Sequence, residues 1–229
     1  MKKLFENIFK KETSIQPKTI LPSSEFKKLV TKQLAPFFRE HGFKGSGFHF
    51  KRLNPNNQII DIIGIQVNKY GGEFWLEIGV HPISLPESWP SQYDLKKIIH
   101  AHLDIRERLK FNSNSSLPIT SLETALQSIQ LVKSSFQSYA LNYFNTFNSF
   151  PSPFDKVRIV NNKLELPKEL EDKMEDMTDI RKAWLCANVL ASINSKNQAK
   201  GIASFALELI KPSKGSSLTD SLQKIKNAV

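Results

Sequence analysis

The nine residues Ile59 to Val67, IIDIIGIQV, put apolar side chains on both alternating faces. A strand of that kind must be covered on both sides, so it belongs inside a sheet rather than at its edge. Turn chemistry brackets it, with Asn54-Pro-Asn-Asn57 before and Tyr70-Gly-Gly-Glu73 after. On one flank, Phe48 and Phe50 alternate with His49 and Lys51 up to Leu53. On the other, Phe74, Leu76, Ile78 and Val80 alternate with Trp75, Glu77, Gly79 and His81. Connections this short allow only antiparallel neighbours, so the sequence predicts a three-strand meander.

Helical spacing takes over on both sides. Ser23 or Ser24 caps a helix carrying Phe26, Leu29, Val30, Leu34, Phe37 and Phe38 on one face. Pro36 should kink or restart it, and Gly42 suits the residue after its end. A second helix runs from Ser121 through Leu122, Leu126, Ile129, Val132, Phe136, Ala140 and Tyr143. Between them, alternation from Ile99 to Phe111 predicts a fourth strand over 100–111, although Leu95, Ile98, Ile99 and Leu103 also allow a helix. The expected fold class is α+β: a four-stranded antiparallel sheet with helices on one face and a small all-α C-terminal subdomain. Three regions follow: an amphipathic N-terminal helix and linker (1–22), an α+β domain (23–150) and a helical subdomain (151–229). The break at Phe150-Pro-Ser-Pro-Phe154 sets the last boundary. Beyond it, Asn161-Asn162 predicts a small hairpin, and 180–193 with 198–210 a helical pair. That pair is similar to a tetratricopeptide hairpin at Trp184, Ala187, Ala199, Ala203, Ala206 and Pro212. One unit makes no solenoid, and we read two helices joined through small residues.

Charge narrows the partners. The net charge is +10, and residues 1–52 hold twelve Lys/Arg against four Asp/Glu. Such a field draws acidic partners: an acidic protein, nucleic acid or anionic lipid. One cysteine, Cys186, excludes an internal disulfide framework and favours a reducing, cytoplasmic setting. No apolar run approaches a membrane span, so no integral membrane association is expected.

The segment HGFKGSGFHFKRL, from His41 to Leu53, resembles a catalytic loop at first sight. Gly45 and Gly47 fit a dinucleotide loop, but Phe50 stands where a third glycine belongs, and a helix precedes where a strand should. Phe48 and Phe50 beside Lys51 and Arg52 partly match an RNA-stacking strand; the alternative is that both face the core. His100-Ala-His-Leu-Asp104 resembles the start of the metallo-β-lactamase motif, yet no histidine follows His102, and a solvated strand face with Arg106 and Arg108 is the expectation. Cys186 reads as a buried, inert thiol, and the Glu171-Asp172 and Glu175-Asp176 pairs as solvated surface. No cofactor, metal or catalytic residue is expected. The candidate partner-binding residues are Lys44, His49, Lys51, Arg52, Arg106 and Arg108.

These segments resemble a bacterial family, a domain of unknown function. The carriers are the helix ending Leu34-Ala-Pro-Phe-Phe-Arg-Glu-His-Gly-Phe43, the strand Phe48 to Arg52, Ile62 to Asn68 with Gln66, Phe74 to Val80, His102 to Leu109 and Ala140 to Phe147. The resemblance covers residues 23 to 150. It implies an α+β domain and no enzyme activity, and it associates the chain with toxin-neutralising immunity proteins. The expected function is therefore a non-catalytic, cytoplasmic binding protein, with an immunity-type neutraliser of a bacterial toxin or other acidic protein partner as its leading form. The alternative is nucleic-acid binding through the basic N-terminal quarter.

Overall fold

A computed structural model describes residues 20–85, 97–112, 114–210 and 216–228. The amphipathic segment expected at the N-terminus and Pro212 lie outside them. Six strands form one antiparallel sheet: β1 (Lys44–Ser46), β2 (His49–Leu53), β3 (Ile59–Val67), β4 (Gly72–Pro82), β5 (Ile105–Arg108) and β6 (Leu117–Ile119). The order is β1-β2-β3-β4-β5, and β6 pairs with the start of β4. The meander is as expected, with β3 inside the sheet. Two short strands, β1 and β6, extend the four that the alternation predicts. Gly47, at φ +62°, opens the two-residue turn between β1 and β2, a conformation that favours glycine.

The fourth strand is shorter than its alternation suggests. His100–His102 is a single 3₁₀ turn and only Ile105–Arg108 pairs with β4. The reason is burial on two sides: Ile98 and Leu103 pack with Ile60 and Ile62, whereas Ile105 and Leu109 join the main core. One continuous strand could not serve both.

The helices lie where the apolar spacing puts them. Helix α1 (Ser23–Leu29) passes through a π-helical turn, Val30–Leu34, into α2 (Ala35–Glu40). Pro36 supplies no N–H, and the ladder shifts ahead of it: Ala35 donates to Val30 O, five residues back. Gly42 closes the helix at φ +82°, with Phe43 N–H donating to Phe38 O and Gly42 N–H to Arg39 O. Helix α3 (Leu122–Ser135) starts on a capping box: Thr124 N–H donates to Ser121 Oγ at 3.1 Å, and Ser121 N–H to Thr124 Oγ1 at 2.9 Å. A second π-helical turn, Phe136–Ala140, leads into α4 (Leu141–Asn145).

Helices α1 to α4 cover one face of the sheet. Phe26 meets Phe74 at 4.7 Å, and Phe38 meets Phe50 at 5.0 Å and Phe136 at 5.3 Å. The same apolar core continues past Phe150–Phe154. There β7 (Arg158–Val160) and β8 (Lys163–Glu165) form the expected hairpin, with Asn161 and Asn162 both at positive φ. A short helix α5 (Lys168–Glu171) leads to α6 (Asp179–Ser192), α7 (Lys196–Leu209) and α8 (Ser216–Asn227). Ala183, Ala187, Ala199, Ala203 and Ala206 are buried in this group, and Trp184 Nε1–H donates to Ser221 Oγ at 2.7 Å. No described helix is long and apolar enough to cross a membrane.

Candidate functional site: the open face of the sheet

Side chains alternate across a strand, so each strand feeds both faces. Phe50, Ile63, Ile65, Phe74, Leu76, Ile78, Val80 and Ile105 point under the helices. The opposite parity gives the other face: Lys44 and Ser46 from β1, His49 and Lys51 from β2, Gln66 from β3, Trp75, Glu77 and His81 from β4, and Arg106 and Arg108 from β5. Five of the six candidate residues thus share one surface. Arg52 does not join them. Its Nε–H donates to Asp61 Oδ2 at 2.8 Å, a nitrogen donates to His41 O at 2.8 Å, and the guanidinium lies over the Phe43 and Phe144 rings. It is a half-buried structural cation beneath the helices.

The segment from Lys97 to Leu103 crosses the open face. Two strand glycines admit it: a Cβ on Gly64 would lie 2.0 Å from His100 Nδ1, and one on Gly79 2.6 Å from Leu103 Cδ1. His100 is therefore buried rather than part of a solvated strand face. Its ring stacks on His49, with centroids 5.4 Å apart and planes 19° from parallel. Its Nε2 lies 3.5 Å from Glu77 Oε2. Glu77 in turn accepts from Arg108 at 2.7 Å and 3.2 Å, Arg108 donates to Gln66 at 3.0 Å, and its guanidinium stacks over Trp75. Burial holds the imidazole of His49 below its usual range, with Lys27 adding to the shift. Burial also pulls His81 down to about 4, helped by His102. His100 is lowered by burial, against the pull of Glu77 and with the aid of His49, Arg106 and His102.

At the β1 edge the face hollows out. A cavity of roughly 440 Å³ is lined by Lys44, Ser46, His49, Lys51 and Lys97, with Ile62, Ile98 and Ile99 as its apolar floor and wall. No carboxylate is among the described residues that line it. Lys27 of α1 reaches the same hairpin, its Cε being 3.0 Å from where a Gly47 Cβ would sit. Three lysines, a hydroxyl and an imidazole around one hollow suit an anion.

Other candidates resolve structurally. Phe50 is buried and Phe48 stacks on Phe26, so neither offers an exposed platform for a base. No group of three described His, Cys, Asp or Glu is placed to hold a metal ion. Cys186 is buried and its thiol is pushed up to about 12 by that burial. A larger groove of about 710 Å³ lies between β5 and the 172–178 turn. Its charges are opposed to one another: Arg181 pairs with Asp104, Arg108 with Glu77, and Tyr139 O–H donates to Glu107 at 2.7 Å. Such a groove selects no ligand class.

Sequence reasoning missed Ser46, Glu77, Lys97 and the pairing of sheet histidines with His100 and His102. The legible signal was glycine inside strand patterns, at Gly64 and Gly79, which marks close approach of another group. No curated protein and no solved structure matches the chain. Residues 34–146 do match a family, the domain of unknown function DUF4304, and these residues carry β1 to β6 and nearly all of the open face. Over residues 34–146, from the end of the first π-helical turn through α4, the chain matches DUF4304.

Proposed function

We propose that this chain is a non-catalytic binding protein that takes an acidic protein partner on the open face of its sheet. The observation that carries this is the hollow at the β1 edge, where Lys44, Lys51 and Lys97 converge without a lining carboxylate among the described residues. Three lysines lining one hollow give it a positive field that complements a partner's carboxylates. Lys27 extends the field, and Arg108 over Trp75 gives the face a second, amphipathic anchor. An immunity-type role, masking the acidic surface of a toxin, is the form suggested by the family resemblance.

The test uses two defined probes on the full chain, a poly-glutamate peptide and a single-stranded oligonucleotide, measured by calorimetry. Binding of the peptide, weakened about tenfold or more by combined Lys44→Glu, Lys51→Glu and Lys97→Glu reversal, is expected. Oligonucleotide binding that falls with a log–log salt slope of about −2 to −3 would reassign the hollow to nucleic acid. Absence of binding to either probe at about 50 mM salt would remove the anion-binding reading itself.

A further inference from the structure

Four of the chain's five histidines meet on the open face, and binding an acidic partner uses only one of them. They come in two couples, one in stacking contact and one linked through charge. His100 of the segment stacks on His49 of β2. His102 of the segment lies close enough to His81 of β4 to disfavour a proton there. Between the couples, Ile98 and Leu103 bury themselves on Ile60 and Ile62, a cluster separate from the main core. A small apolar patch, the His49–His100 stack, the approach of His100 Nε2 to Glu77 Oε2 at 3.5 Å and the donation of Arg106 to His100 O at 3.5 Å are thus contacts between the segment and the sheet.

The surroundings decide what a proton would do here. Around His49 stand Lys27 from α1 and His100 from the segment. Around His100 stand Glu77 from β4, His49 from β2, Arg106 from β5 and His102. Around His81 stands His102. His102 Nδ1 already accepts the Ile99 N–H, at 3.3 Å. Glu77 is the one carboxylate in this set, and Arg108 holds it at 2.7 Å. His100 Nδ1 lies against Gly64 and has no hydrogen-bond partner. A proton added to either couple sets imidazolium against imidazole or cation, with one shared carboxylate in compensation.

We propose that Lys97–Leu103 is a latch, closed on the sheet by the Ile98–Leu103 patch and the His49–His100 stack, and that mild acid opens it and dismantles the Lys97–Ile99 wall of the hollow. The sign follows from proton binding. Released histidines titrate near 6.5, whereas closure lowers His49, His81 and His100. The open state therefore binds more protons, so closure is fully favoured above about 6.5 and is lost as the pH falls toward the value of about 4 of His81. Opening costs little elsewhere because the segment's apolar cluster is separate from the main core. The latch stands whatever fills the hollow, because its parts contact one another rather than a ligand.

Methyl NMR on the full chain tests this. The reporters are nuclear Overhauser contacts from Ile98 and Leu103 to Ile60 and Ile62; the reference is Ile63 to Ile78, direct partners under the helices. Between about pH 7 and pH 4.5 the reporter contacts should fall about tenfold while the reference persists. In a His100→Gln/His102→Gln variant, which keeps polar side chains but cannot be charged, the reporters should survive at the lower pH. His49→Gln/His81→Gln repeats the measurement from the sheet side. Reporters that persist in the native chain at the lower pH overturn the proposal. So does their loss in both variants, since closure then does not turn on imidazole charge. Joint loss of reporter and reference also overturns it, because the latch is then no separate device.

Discussion

Arg52 and Lys51 are neighbours on one strand, yet they live in different chemistries. Arg52 turns under the helices and spends its donors on Asp61 and His41, between two phenylalanine rings. Lys51 turns to the open face and lines a hollow with two other lysines. The same contrast runs through the sheet. On its helix face, phenylalanines pack between α1 and β4 and among α2, β2 and the second π-helical turn, and the buried carboxylate Asp61 is paired. Its other face gathers imidazoles, guanidiniums and ammoniums beside the crossing segment 97–103. Alternation alone assigns a residue to a face, and the cover on that face decides whether its charge is held beneath the helices or lines the open face.

The largest expected effect separates those two residues directly. Arg52→Ala leaves Asp61, fully buried, with no cation, and should cost about 3–5 kcal/mol in urea unfolding. Lys51→Ala should stay within about 1 kcal/mol. Equal costs would break the comparison between faces.

Next in size is a pH effect with opposite signs on the two faces. Burial raises the Asp61 carboxyl to about 6 in spite of Arg52, and its Oδ1 has no hydrogen-bond partner. A raised carboxyl stabilises the fold below its unfolded value of 3.8 and loses that contribution as the pH rises through about 6. His81, lowered to about 4, contributes above 6.5 and loses its contribution as the pH falls. The two trends oppose each other between these limits. Asp61→Asn should unmask a steady loss of stability on acidification, and His81→Gln should tilt the profile the other way. Identical profiles in the two variants would contradict both assignments.

Gly64→Ala sharpens the comparison at the latch. The added Cβ falls on the His100 ring, so the segment must shift, at a cost of about 1–3 kcal/mol, while contacts under the helices hold. Methyl spectra that change on both faces would refute that separation. The smallest expected effect is Arg108→Ala. Its side chain is 41% exposed, so losing the Glu77 pair should cost at most about 1 kcal/mol of stability.

Much of the fold could be read in advance because periodicity is local. The meander, the Pro36 interruption, the Gly42 stop, the helix start at Ser121 and the Asn161-Asn162 hairpin each depend on a few adjacent residues. β1 and β6 were harder, since three residues are too few to show a period. The crossing segment was misassigned as strand from residue 100 because its apolar residues serve two different clusters, which sequence alternation cannot distinguish. The site was half legible. Parity grouped His49 with Lys51 and Arg106 with Arg108, but the approach of Lys97 to Lys44 depends on how a distant segment lies over the sheet. Arg52 was placed on the surface because its partner, Asp61, is an acid inside an otherwise apolar strand. That anomaly was visible and pointed to a buried cation.

The measurement that bears most directly on the claim that the open face is the recognition surface is amide shift mapping of the full chain with poly-glutamate peptide at neutral pH. The account predicts shifts concentrated at Lys44–Lys51 and Lys97–Ile99, abolished by reversal of Lys44, Lys51 and Lys97, with α7 and the β7–β8 hairpin unmoved. Shifts centred on α7 or the hairpin, or shifts that survive the reversal, would contradict it.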